Sequence, residues 1–202
     1  MIIRELGLQP YAEIFSAMKD FTEGRRTTAC PDELWLLEHE PVFTQGLAGK
    51  DEHVLRRGAI PIVPIDRGGQ ITYHGPGQLV MYLLLDLRRS QVGIRALVSM
   101  LENSVINLLR RWHIDAVARP DAPGVYVAGQ KIASLGLKIR HGCSYHGLAL
   151  NVDMDLSPFS WINPCGLKQM TMTQLKDLGV NISVVEAGRL LSQEFIKLYG
   201  EH

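Results

Sequence analysis

The stretch GVYVAGQKIASLGLKIRHGCSYHGLALNV, residues 124–152, decides what kind of fold this chain adopts. Its first run, Gly124 to Ala128, is short and apolar, and Gly129 breaks it. A second run follows from Ile132 to Arg140 and a third from Tyr145 to Val152. Strand-forming runs separated by short glycine-containing breaks read as hairpins, so these three segments predict antiparallel neighbours.

Helical signals flank the hairpins. Ile94, Leu97, Val98, Leu101, Val105, Leu108, Leu109 and Trp112 recur at helical spacing and predict a helix over residues 94–112. Tyr11, Ile14, Phe15, Met18 and Phe21 predict an amphipathic helix from Pro10 to about Thr28, its stripe read as core packing. Thr171 with Gln174, and Ser183 with Glu186, each fit a capping box, which predicts two C-terminal helices, the second running to about Tyr199. Glu33 to Phe43 reads as a strand closed by Pro41, after which Gln45, Gly46 and Lys50 begin a polar loop. Ile60 to Ile65 reads as an edge or irregular strand, because Pro61 and Pro64 cannot donate to a ladder. Hairpins set between helices predict a single α+β domain over residues 1–202 rather than a doubly wound sheet.

Composition narrows the classes of function. A 202-residue chain that is 46% hydrophobic can bury one sizeable core. Its 21 basic and 21 acidic side chains cancel, leaving no electrostatic footprint for nucleic acid or an anionic membrane. Cys30, Cys143 and Cys165 form an odd, sparse set that suits a reducing compartment better than a disulfide framework, so a cytoplasmic location is expected. The N-terminus lacks a long apolar core, and the longest apolar run, Leu79 to Leu85, is too short to span a bilayer.

Two stretches carry candidate chemistry. The first holds Lys131 within GQKIASLG and Cys165 within INPCG, where Pro164 and Gly166 make a turn that can present a side chain. A cysteine reacts as its thiolate and a nearby ammonium favours that form. Taken singly, each residue reads as ordinary: a free cysteine is usually a small buried hydrophobe and a lone lysine a solvated charge. The second is DRGGQITYHGPGQLVMYLLLD, residues 66–86, where Gly68, Gly69, Gly75 and Gly77 bracket Thr72, Tyr73 and His74. So much glycine implies close backbone approach, with Arg67 placed to pair with an anion or a buried carboxylate; the plain alternative is a glycine-rich hairpin. Neither stretch spells a phosphate loop or a dinucleotide fingerprint. His74 and His146, both beside glycine, are candidates to orient a substrate carbonyl or position Lys131, or are satisfied structural histidines. His39, His53, His113 and His202 read as surface or packing residues. A zinc site from His141, Cys143, His146 and Cys165 is disfavoured, because strand alternation sends positions three apart to opposite faces.

In this order and spacing, RGGQITYHGPGQLV, GQKIASLGLKI, YHGLALNVD and NPCG resemble the octanoyltransferases of lipoate biosynthesis. The match is close from Arg67 to Gly166 and looser on both sides, with Met170 to Leu175 the least typical stretch. The resemblance implies the fold shared with biotin and lipoate protein ligases, a central mixed, largely antiparallel sheet flanked by helices. It implies Cys165 as the acyl-carrying nucleophile and Lys131 as its general acid and base. The substrate-contacting segments carry over to Arg67, Gly68, Gly69, Gln70, Ile71, Thr72, Tyr73 and His74, to Ser134, Leu135 and Gly136, and to Gly147, Leu148 and Ala149. The implied donor is octanoyl-acyl carrier protein. The implied acceptors are lipoyl domains of 2-oxoacid dehydrogenases and the glycine cleavage H protein, and no cofactor, metal or ATP is called for. Backbone donors for the oxyanion are expected near Cys165 and Gly166 or at the glycines after His74. The alternatives are an ATP-dependent lipoate or biotin protein ligase on the same fold, a non-catalytic acyl-binding protein, or a cysteine hydrolase.

Overall fold

The computed structural model describes residues 1–164 and 170–201. In chain order the elements are β1 (Ile2–Gln9), α1 (Tyr11–Gly24), β2 (Glu33–His39), β3 (Val42–Gln45), β4 (Ile62–Pro64), β5 (Ile71–His74), β6 (Gln78–Leu84), α2 (Leu87–Ser90), α3 (Ile94–Arg110), β7 (Val117–Ala118), β8 (Gly124–Val127), β9 (Gln130–Arg140), β10 (Cys143–Asn151) and α4 (Val184–Gly200). They build a seven-stranded sheet ordered β1-β2-β6-β10-β9-β8-β7 and a three-stranded sheet ordered β4-β3-β5. The domain is α+β, with helices on the large sheet as the sequence predicts.

The stretch quoted first forms β8, β9 and β10 as two antiparallel hairpins. Each turns through two residues of positive φ, Ala128 (48°) with Gly129 (82°) and His141 (52°) with Gly142 (75°). That geometry belongs to type I′ turns, whose twist matches the flanking strands, and glycine holds the second place in both. One strand was not foreseen. Ile2–Gln9, with no clear alternation, pairs parallel to β2 through the α1 crossover and makes the sheet mixed.

Two further expectations are corrected. The run Glu33 to Phe43 is two strands in two sheets, because Glu40 and Pro41 interrupt it and proline offers no N–H to continue a ladder. The Thr171–Gln174 capping box starts no helix: Thr171 and Thr173 take backbone bonds with Lys131, and the Gln174 side chain accepts from the Met154 N–H. Only a 3-10 turn at Lys176–Leu178 follows. By contrast the Ser183 hydroxyl accepts from the Glu186 N–H and α4 begins there, as its capping box predicts. The short strand before Arg67 is the edge strand β4, as its prolines require.

Alternation along β6 sorts the core into two sides. Leu79, Met81 and Leu83 pack with Leu97, Leu101, Val105 and Leu108 of α3 and Leu191 and Phe195 of α4. Val80, Tyr82 and Leu84 face the other way, where Ile14 and Met18 of α1 cover part of the sheet. No described helix is long and apolar enough to cross a membrane.

Candidate active site

On the α1 side, between the large sheet and β5, lies a cleft of about 600 Å³ including its open mouth. Its walls come from α1 (Tyr11), the 67–74 segment, β6 (Val80, Tyr82), β9 from Lys131 to Gly136, β10 from His146 to Ala149, and Pro164.

Lys131 reaches this cleft through an irregularity in the sheet. Val125 pairs with Ala133 and Tyr126 with Lys131, so one extra residue on β9 bulges the strand beside the lysine. A bulge re-aims a side chain. Where β10 ends opposite Ala133, residues 171–173 take its place: the Lys131 N–H donates to the Thr171 carbonyl (2.9 Å), and the Thr173 N–H donates to the Lys131 carbonyl (3.0 Å). The lysine is 1% exposed, with its Nζ 5.5 Å from the Tyr126 ring centroid. Gly124, at φ +141°, leaves room for it; a Cβ there would meet the lysine's Cε and Nζ.

Across the cleft, Arg67 Nη2 donates to the Thr44 carbonyl (2.8 Å) and hydroxyl (3.0 Å). The loop after β3 is fastened to the glycine-rich stretch, since Leu47 and Ala48 donate N–H bonds to the carbonyls of Arg67 and Gly69. The polar loop therefore packs on the 67–69 segment, although none of its own residues walls the cleft. Burial, aided by nearby His39, lowers the pKa of His74 to about 3, and burial lowers that of His39 to about 4. His146 is also lowered by burial, against the pull of Asp66. Its Nε2 sits 3.1 Å from Asp66 Oδ1, and the Tyr145 hydroxyl donates to Asp66 Oδ2. Burial raises the Asp66 pKa, but these two donors prevail and hold it at about 2. Tyr145 and His146 reach the same carboxylate although adjacent on a strand, because His146 has φ +61° and breaks the alternation. The carboxylate can only accept, so His146 carries its hydrogen on Nε2.

The 67–74, 134–136 and 147–149 segments predicted to contact substrate meet in this one cleft, apart from Gly68 and Tyr73. Gly68 donates its N–H to the Leu137 carbonyl, and Tyr73 turns to the other side of β5, against Phe43 and Phe159. Cys165 and Gly166 lie outside the described residues, as does His202; Pro164 in the cleft wall immediately precedes the cysteine. The glycines after His74 do not wall the cleft, and the Gly77 N–H is already committed to Glu38 Oε2 at 2.6 Å. Strand alternation breaks at His146, yet the Cys143 sulfur lies against the His141 carbonyl while His146 turns to Asp66. No group of three metal-ligating side chains assembles among the described residues.

Sequence reasoning missed Tyr11, Tyr82, Asp66 and the buried role of His39, whose ring nitrogens meet the Gln9 carbonyl and the Tyr82 hydroxyl. Tyr11 was hidden in a helical stripe, where a wall residue and a core residue look alike. Its hydroxyl and Gln70 Oε1 are buried, in residues of the cleft wall, without a hydrogen-bond partner among the described residues.

Residues 10–196 match the lipoyl protein ligase A/B catalytic domain. An octanoyltransferase from Serratia proteamaculans (strain 568) is 58% identical over 200 residues, covering 99% of this chain and 90% of the relative. In fold, the chain is similar to lipoate-protein ligase A bound with ATP, at TM-score 0.77 and 19% identity over 99% of this chain and 86% of the other. Biotin protein ligase from Aquifex aeolicus, solved with biotin and ATP, is more distant, at TM-score 0.58 and 12% identity over 99% of this chain and 71% of the other. By sequence and by domain match, the chain belongs to the lipoyl protein ligase A/B catalytic-domain family and, within it, to the octanoyltransferases.

Proposed function

We propose that this single domain moves an octanoyl group from octanoyl-acyl carrier protein to a lysine ε-amine on a lipoyl domain, through a thioester on Cys165. The observation that carries the reading is that buried Lys131 shares one cleft with Pro164, the neighbour of Cys165, and with three separated segments of the wall. In the first step the Cys165 thiolate attacks the donor thioester, the tetrahedral intermediate collapses and the carrier thiolate leaves, taking a proton from the Lys131 ammonium. In the second, the acceptor amine attacks the Cys165 thioester, gives its excess proton to the Lys131 amine and expels the Cys165 thiolate. Thioester exchange is near neutral in energy and amide formation is downhill because resonance stabilises the amide, so neither step needs ATP. The apolar part of the wall, Ile71, Val80, Leu135 and Leu148, suits the acyl chain. Lipoyl domains of 2-oxoacid dehydrogenases and the glycine cleavage H protein are the acceptors we infer, in the cytoplasm.

Intact mass after mixing the protein with octanoyl-acyl carrier protein, without ATP, and then with an apo lipoyl domain tests this. One octanoyl adduct that moves to the lipoyl domain, and that Cys165→Ala abolishes, is the expected result. Transfer only with ATP and free octanoate would replace the transferase with a ligase. Full transfer by Cys165→Ala would remove the covalent path.

A further inference from the structure

A chain of buried side chains runs behind the cleft wall from Lys131's neighbour Thr173 to Arg67. Asn151 Nδ2 donates to the Thr173 carbonyl (2.9 Å). Gln78 Nε2 donates to Asn151 Oδ1 (3.0 Å) and to the Tyr73 carbonyl (3.3 Å). Gln78 Oε1 meets His74 Nδ1 at 2.7 Å, His74 Nε2 meets the Thr44 hydroxyl at 3.3 Å, and that hydroxyl receives Arg67 Nη2. Every member is at most 8% exposed.

The direction of each bond follows from two fixed points. A backbone carbonyl only accepts, so the carbonyl of Thr173 fixes which end of the Asn151 amide faces it, and Asn151 Oδ1 is left for Gln78. Gln78 must then present its NH₂ to Asn151, as the Tyr73 carbonyl also requires, and its oxygen to His74. An oxygen facing His74 Nδ1 demands a hydrogen there, which in a neutral ring leaves Nε2 as the acceptor from Thr44. Both ring nitrogens are thus occupied, and His74 is not placed to carry protons for the reaction.

We propose that Gln78 and Asn151 are positioning residues that, with Thr44, lock His74 as its Nδ1–H tautomer and tie the segment beside Lys131 to Arg67 across the cleft. The consequence for catalysis rests on the acyl-transfer reading above; the lock itself does not. Titratable groups facing His74 are His39, Tyr11, Arg67 and His146, and burial keeps the ring neutral.

The lock is tested first by long-range nitrogen–proton NMR of the histidine side chains in the full-length wild-type protein at neutral pH. A neutral Nδ1–H tautomer for His74 is expected; an Nε2–H tautomer or an imidazolium would overturn the proposal even if octanoyl transfer is never observed. The second test is Gln78→Glu, which faces His74 with a carboxylate and raises its proton affinity. A new ionisation in the pH profile of octanoyl transfer is expected, with kcat down about tenfold or more and KM little changed, as for misplaced groups; an unchanged profile and kcat would refute it. Should Gln78→Glu not fold, near-isosteric Thr44→Val decides: a tenfold lower kcat restored by Thr44→Ser supports the chain, and equal rates for all three would sink it. If wild-type protein transfers no octanoyl group, the function proposed above fails while the tautomer measurement still stands or falls alone.

Discussion

The two sides of β6 make opposite use of one strand. Leu79, Met81 and Leu83 meet leucines, Val105 and Phe195 of α3 and α4, and the buried Ser104 and Ser192 hydroxyls of those helices bond within their own helix. One residue along, Val80 and Tyr82 face a cleft walled by Tyr11, His74, His146 and Arg67, where polar atoms need partners. The first side holds the domain together through burial of apolar area, and the second organises charge and hydrogen bonds. The difference teaches that a conservative change on either side damages a different property.

Lys131→Arg gives the largest expected effect. Arginine keeps the charge but scarcely deprotonates, so octanoyl transfer falls by about 10²–10⁴-fold, the usual span for a lost general acid and base. Near wild-type rates in a steady-state transfer assay would show that charge alone suffices. On the opposite side, Leu101→Ala leaves a cavity in a fully buried site of α3. It is expected to lose about 2–5 kcal/mol in urea unfolding while the folded fraction keeps its specific activity. A large loss of specific activity in that variant would break the division between the two sides.

Acid sharpens the contrast. His39 and His74 have folded pKa values near 4 and 3, below their ordinary 6.5, because burial disfavours the imidazolium. The unfolded chain therefore binds more protons below pH 6.5. Stability present above that pH is lost as pH falls toward 4 and then 3, at roughly 1 kcal/mol per pH unit for each histidine. Asp66, held near 2 by His146 and Tyr145 despite burial, adds a further loss between about pH 4 and pH 2. Urea unfolding across pH 2 to 8 checks this, and His39→Gln should flatten the slope between pH 6.5 and 4; an unchanged slope would show that the cluster hydrates or opens before it titrates.

What the sequence revealed follows the same division. The helices α1, α3 and α4 and the β8–β10 hairpins were legible because periodicity and turn glycines are local signals. The cleft's outline was legible through its glycine-rich segments and the family resemblance. The bulge that aims Lys131, the positive φ at His146 and the carboxylate of Asp66 were not, since each depends on pairing between distant strands. β1 escaped for a related reason: six of its eight residues are exposed, so no buried alternation marks it.

The smallest effect comes from one sequence motif read twice. Ser183 and Thr171 each stand three residues before a Glu or Gln, and by local rules both should cap helices. Only Ser183 does, its hydroxyl accepting from the Glu186 N–H at 3.1 Å. The segment after Thr171 instead lies extended beside Lys131, where its backbone bonds replace β10 at the end of the sheet. The Thr173 N–H, a donor that a first helical turn would leave open, goes to the Lys131 carbonyl, and the Thr171 and Thr173 carbonyls accept from the Lys131 N–H and the Asn151 amide, so the extended form leaves these groups paired. Ser183→Ala should therefore cost about 1 kcal/mol in thermal or urea unfolding, the usual worth of a cap, whereas Thr171→Ala should change stability by less than about 0.5 kcal/mol. Equal losses from both would mean that the Thr171 hydroxyl caps a structure of its own, and the extended segment beside the lysine would have to be reconsidered. Unequal losses, in the expected sense, would show tertiary pairing overriding a helix start at the point where the chain adjoins Lys131.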